Sequence, residues 1–139
     1  MDNKQIEEMA GLLRYYSELP ADFNDIDRLI VAKRKLIHYS FYWATEVGKA
    51  LEVYNTSYAD RKNFVAKYIV NEIKNGESVS KSEFRAEAEA AKMRLTEAKA
   101  EALYREYKGY QTALENAIQS VMQDISKLKK EAELSKQDA

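Results

Sequence analysis

The 139-residue chain contains no cysteine, one proline (Pro20), four glycines and one histidine (His38). The lack of cysteine removes disulfides, thiol nucleophiles and every thiolate metal site, and it fits a reducing compartment. With so little glycine and proline there is no material for a phosphate-cradling loop or for the frequent turns of an all-β fold. A lone histidine with no Glu-x-x-His or His-x-x-x-His spacing excludes the familiar helical metal motifs. No apolar run approaches the roughly 18 residues that span a bilayer, and residues 1–16 lack a signal-peptide apolar core. A cytoplasmic protein is expected, with no membrane partner, no cofactor, no metal and no small-molecule substrate.

What is present is helical periodicity. Hydrophobic residues make up 45% and charged residues 32% of the chain, enough apolar material for one folded domain. Ile6, Met9, Ala10, Leu13 and Tyr16 mark a short helix within residues 1–19, which Pro20 ends because its ring biases the preceding residue away from helix. A second stripe runs over residues 25–74 through Leu29, Leu36, Trp43, Val47, Leu51, Tyr54, Tyr58, Arg61, Val65, Ile69 and Ile73. Asn24 or Asp25 is placed to cap it. Gly48 lies inside this helix, where it could permit close approach of a neighbour.

Asn75-Gly76 reads as a helix stop, and Ser80 with Glu83 reads as a capping box that starts a third helix over residues 80–133. Its stripe is Phe84, Ala88, Ala91, Leu95, Ala98 and Ala102, shifting register to Leu103, Tyr107, Tyr110, Leu114, Ala117, Val121, Ile125 and Leu128. That shift predicts local unwinding near Ala102. Residues 134–139 read as a frayed tail.

Stripes this long are buried only against another long helix. The expected fold is therefore all-α: a long antiparallel, coiled-coil-like helical hairpin, with the short N-terminal helix completing a three-helix bundle at one end of a single domain. Reversal at Glu77 sets Tyr54 against Ala98 to Ala102, Val65 against Ala88 to Ala91 and Ile69 against Ala86. Large residues then oppose small ones, as a core of constant thickness requires.

The net charge of −1 hides a gradient: residues 1–27 carry −5, residues 28–74 carry +5 and residues 75–139 carry −1. Side-by-side packing of the acidic first segment and the basic second helix would neutralise both.

Two sets of residues are candidates for function. Residues 36–44 are apolar or aromatic around the whole helix, so Tyr39, Phe41, Tyr42 and Trp43 are expected either to fill an intrachain core or to form an interface with a second copy or another protein. Lys33, Arg34 and Lys35, with Lys127 and Lys130, form basic clusters that an antiparallel hairpin brings to one end. Tyr104, Arg105, Tyr107 and Lys108 interleave aromatic and basic groups, a pattern that can stack on single-stranded nucleic acid. Against that stand the acidic neighbours Asp124, Glu131 and Glu133 and a pI near 6; a solvated, internally neutralised face is the plainer reading.

The segments Tyr104-Arg-Glu-Tyr-Lys108 and Asn116-Ala-Ile-Gln-Ser-Val-Met-Gln-Asp-Ile-Ser-Lys-Leu-Lys-Lys-Glu131 give the C-terminal half a resemblance to small helical coiled-coil proteins encoded by tailed phages and prophages. The resemblance implies either a virion or assembly component or an accessory of phage DNA replication or recombination, located in host cytoplasm or virion. It carries over no functional residue. A non-enzymatic structural or protein-interaction module that self-associates is the reading that results, with single-strand nucleic-acid binding as the alternative.

Overall fold

The computed structural model describes residues 2–138. They form four helices and no strand: α1 (Asn3–Ser17), α2 (Ile26–Lys74), α3 (Val79–Glu89) and α4 (Ala91–Gln137). The protein is an all-α helical hairpin in which α2 and α4 pack together, with a short N-terminal helix.

The helix ends follow from local chemistry. Asp2 caps α1 in a capping box: its side chain accepts from the Gln5 N–H at 2.8 Å while the Gln5 side chain accepts from the Asp2 N–H at 3.4 Å. Asp25, as expected, caps α2 by accepting from the Arg28 N–H at 3.1 Å. At the other end of α2, Gly76 takes a φ of 90°. The Gly76 N–H then donates to Ile73 and the Glu77 N–H to Glu72, the paired bonds of a Schellman stop that satisfy two orphan carbonyls.

Four expectations about the elements need correction. The cap of the third helical segment is Ser78, whose extended backbone lets its hydroxyl accept from the Lys81 N–H at 3.3 Å; Ser80 already lies inside the helix. The Schellman bonds close the reversal by Glu77, which makes Ser78 the first extended residue. That segment is also not one helix: it is interrupted at Ala90, whose ψ is 0°. Its buried row steps by four twice, Ser82 to Ala86 to Ala90, and a straight helix of 3.6 residues per turn carries such a row steadily off the contact line. The irregularity at Ala90 stands where the row must be reset. The expected tail is helical through Gln137, since nothing between Lys127 and Asp138 is Gly or Pro; Met1 and Ala139 lie outside the described residues. Finally, a Cβ added at Gly48 would meet nothing within 4 Å, so this glycine serves no close approach.

The chain groups into two compact units, Met1–Thr45 with Gly109–Ala139, and Glu46–Lys108. In the first unit α1 lies on the paired segments of α2 and α4. Met9, Leu29, Ala32, Leu36, Trp43, Leu114, Val121 and Ile125 form its core. This apolar interior, drawn from three helices, is the expected three-helix bundle.

The second unit is a two-helix arm with an unusual interior. Ala50, Arg61, Ser82, Ala86, Ala90 and Ala100 are buried, and Tyr54, Ser57, Phe64, Tyr68, Met93, Glu97 and Tyr104 are half-buried along the same line. The expected inward row is thus displaced in part. On α2 Tyr54 and Arg61 lie inward as expected and Val65 and Ile69 are half-buried, while Leu51, Tyr58 and Ile73 are exposed. On α3 and α4 the expected row faces away from α2 altogether: Phe84, Ala88, Ala91, Leu95, Ala98 and Ala102 are all exposed. The small residues buried here are Ala86, Ala90 and Ala100; Tyr54, expected against alanine, stacks on Tyr104, and Arg61 meets Glu97, one helical turn past Met93.

Candidate functional site

In the first unit the aromatic segment is divided by the helical period. Trp43 points inward and is 1% exposed. Its Nε1–H donates to the Met9 sulfur at 2.8 Å, and its ring lies 5.0 Å from that of Tyr110. Tyr42 packs edge-on to Trp43 and is half-buried. Tyr39, also half-buried, donates to Glu8 at 3.4 Å, and burial together with the Glu8 charge pushes its hydroxyl pKa up. Only Phe41, at 73% exposure, faces solvent fully. The segment therefore serves mainly as the junction of α1, α2 and α4.

The basic residues near it are mixed with acids. Arg34, Lys35 and His38 line a shallow hollow of about 500 Å³ together with Glu8 and Tyr39. Lys127 borders a groove of about 530 Å³ between α4 and the α1–α2 connection, beside Asp124 and Glu131. Over this groove the Tyr16 hydroxyl donates to Asp124; burial, then that bond, raise the Tyr16 pKa far above its ordinary 10. Lys33 is half-buried, and Lys130 is exposed on α4.

The remaining candidates belong to the second unit. The Tyr104 ring stacks on Tyr54 with centroids 6.3 Å apart and planes 8° from parallel. Arg105 is held by Glu101 at 2.6 Å. Tyr107 is half-buried and Lys108 is exposed. Two of the groups that single-strand stacking would require are thus engaged within the chain.

Two features of this unit were not recognised from sequence. The first is the Arg61–Glu97 pair. Arg61 donates from Nε and Nη2 to the two carboxylate oxygens, the second bond at 3.3 Å, with Arg61 and Glu97 side chains 10% and 14% exposed. The Tyr58 ring lies 5.4 Å from the guanidinium carbon. Hydrogen bonding to Arg61 holds the Glu97 carboxyl below its ordinary 4.5. An arginine in an otherwise apolar row was the available signal, because a buried cation requires an acid across the seam.

The second is the outward row. Phe84 is 78% and Leu95 59% exposed, and the row 84, 88, 91, 95, 98, 102 alternates steps of four and three, the heptad spacing of a coiled-coil seam. One flank of it carries Arg85, Lys92 and Lys99. On the other, Glu87 is paired with Arg94 and Glu101 with Arg105.

Among the described residues no cluster of His, Asp or Glu is arranged to hold a metal ion, and no helix is long and apolar enough to cross a membrane. No protein family model matches the chain, and no curated protein and no solved structure shows significant similarity to it.

Proposed function

We propose that the protein is a non-enzymatic structural or protein-interaction module that engages other polypeptides through apolar helix faces. One observation carries this reading: in the second unit the buried side chains are mostly small or polar, while Phe84, Leu95, Val70 and Val79, each more than half exposed, lie outside. Exposed apolar side chains that share one helix face, as Phe84 and Leu95 do, are a feature of association sites. If the phage resemblance of the C-terminal half holds, such a module is a virion or assembly component, with an accessory of phage DNA replication or recombination as the alternative. Self-association through the aromatic segment has Phe41 as its remaining fully exposed anchor, because Trp43 is committed to the intrachain core.

The test is native mass at native expression level, for wild type and for the double variant Phe84→Glu/Leu95→Glu. The wild type is expected in an assembly larger than the single chain, and the variant as the free chain with unchanged helix content. A wild-type chain that runs free at its native level would overturn the reading.

A further inference from the structure

The outward row of α3 and α4 has a geometry and a charge pattern that together specify its occupant. We propose that it docks an amphipathic helix of a different polypeptide, one with large apolar residues opposite the alanines and an acidic row alongside Arg85, Lys92 and Lys99. The proposal rests on the interaction-module reading and deepens it by naming the partner's chemistry.

The spacing argues for a helix. Six exposed positions, Phe84, Ala88, Ala91, Leu95, Ala98 and Ala102, follow heptad steps on the face opposite the intrachain contact. A 3.5-residue repeat keeps a line of side chains facing one partner helix along its length. Alanine at four of the six positions lets that helix approach closely and leaves room for leucine- or isoleucine-sized side chains, while Phe84 and Leu95 call for small residues opposite.

A second copy fails as that helix. The antiparallel register that sets large on small places Phe84 on Ala102 and Leu95 on Ala91 of the second copy. The same register brings Arg85 onto Lys99, Lys92 onto Lys92, Glu87 onto Glu101 and Arg94 onto Arg94. The cationic flank then meets its like, and like-charge juxtaposition across an interface opposes association; the charges of the other flank are already paired within the chain. Slipping by one heptad sets Phe84 on Leu95 and alanine on alanine. A parallel arrangement in register sets Phe84 on Phe84 and Leu95 on Leu95 with alanines facing across a gap, which no constant helix separation packs.

The flanks show what does fit. Glu87–Arg94 and Glu101–Arg105 neutralise one flank within the chain. The other carries three cations at successive heptad positions against one acid, Glu89, which lies a turn from Arg85 and Lys92, and Arg85 is also drawn to Glu72 and Glu77 at 3.1 and 3.2 Å. Lys92 and Lys99 therefore set the sign, and the matching row on the partner is acidic.

The experiment uses the full chain and two synthetic helices of about three heptads. Both carry leucine opposite Ala88, Ala91, Ala98 and Ala102 and alanine opposite Phe84 and Leu95; one has glutamate and the other lysine in the row meeting Lys92 and Lys99. Calorimetric titration is expected to show the glutamate helix binding at least roughly tenfold more tightly at low salt, with the difference shrinking as salt rises. Phe84→Glu, checked for unchanged helix content, should abolish binding, and Lys92→Glu/Lys99→Glu should reverse the preference. Equal binding of both helices, lost in Phe84→Glu, would overturn the acidic partner while leaving the interaction face. Wild-type dimers dissolved by Phe84→Glu would also overturn it, in favour of a second copy. A monomeric wild type that binds neither helix would overturn both the partner and the interaction-module reading.

Discussion

Arg61 grips both carboxylate oxygens of Glu97 from the opposite helix, inside a seam otherwise lined by alanine, serine, tyrosine, Phe64 and Met93. An ion pair this enclosed is weak evidence for stability, because desolvation of both ions offsets their attraction. Its sharper role is register: the forked geometry is satisfied at one alignment of α2 with α4 only.

Removal of one partner leaves the other charge enclosed without its counter-ion, whereas removal of both leaves an apolar seam. Arg61→Leu or Glu97→Leu alone should therefore lower the melting temperature more than Arg61→Leu/Glu97→Leu together. Circular dichroism melts of the three variants and wild type form the cycle. Additive effects of the single substitutions would show that the pair does not act as a unit.

The pair also sets an acid limb. The Glu97 carboxyl is held below its ordinary 4.5 by Arg61, so its contribution to stability is complete above that ordinary value and is lost as pH falls through the depressed one. The gap in melting temperature between wild type and Glu97→Gln should stay constant from neutrality down to about 4.5 and then narrow. A gap that is unchanged in acid would mean that the carboxylate is not stabilised in the folded state.

Which alanines line the arm is tested by volume. Ala86 is fully buried and Ala100 is 9% exposed, while Ala88 and Ala98 face solvent. Ala86→Leu and Ala100→Leu should destabilise by roughly 1 to 3 kcal/mol, as overpacking does. Ala88→Leu and Ala98→Leu should change denaturant midpoints little. The opposite ranking would restore the stripe read from periodicity.

The arm explains where pattern reading succeeds and where it stops. Long uninterrupted helices, Asp25 as a cap and Gly76 as a stop are local consequences of side-chain chemistry, so they are legible residue by residue. The inward face of α3 and α4 is not, because alanine recurs in both heptad rows and apolar weight alone favours the row holding Phe84 and Leu95. Periodicity assigns the heavier row to the interior, and here the lighter row packs on α2 while the heavier one is exposed. Arg61 is where the tie breaks in the structure: its partner across the seam is Glu97, which lies on the lighter row. The aromatic segment was ambiguous for a similar reason, since only the placement of Met9 decides that Trp43 turns inward.

Tyr16 offers an alkaline test of the α1 contact. Burial and the bond to Asp124 raise its hydroxyl pKa far above 10, so the stability linked to its proton is complete below 10 and is lost as pH rises toward the folded value. Tyr16→Phe should cost about 1 kcal/mol near neutrality through the lost hydrogen bond. That deficit should shrink above about pH 10, where only the wild type carries the penalty of ionising a buried phenol. A deficit independent of pH would place the Tyr16 hydroxyl in water.

Phe41 and Trp43 sit two residues apart on α2 and face opposite environments, at 73% and 1% exposure. Trp43 fills the space between Met9 and Tyr110, so Trp43→Ala should destabilise by roughly 3 to 5 kcal/mol, the usual cost of emptying a large core site. Phe41→Glu places a charge in water and should leave the melting temperature within about 0.5 kcal/mol of wild type in stability terms. If this segment also joins two copies, Phe41→Glu should lower the native mass measured by light scattering without loss of helix content. The two readouts separate the roles, because a core residue moves stability at every concentration whereas an interface residue moves mass and makes melting depend on concentration. Loss of folding in Phe41→Glu would place Phe41 in the core and remove the aromatic segment as a contact surface.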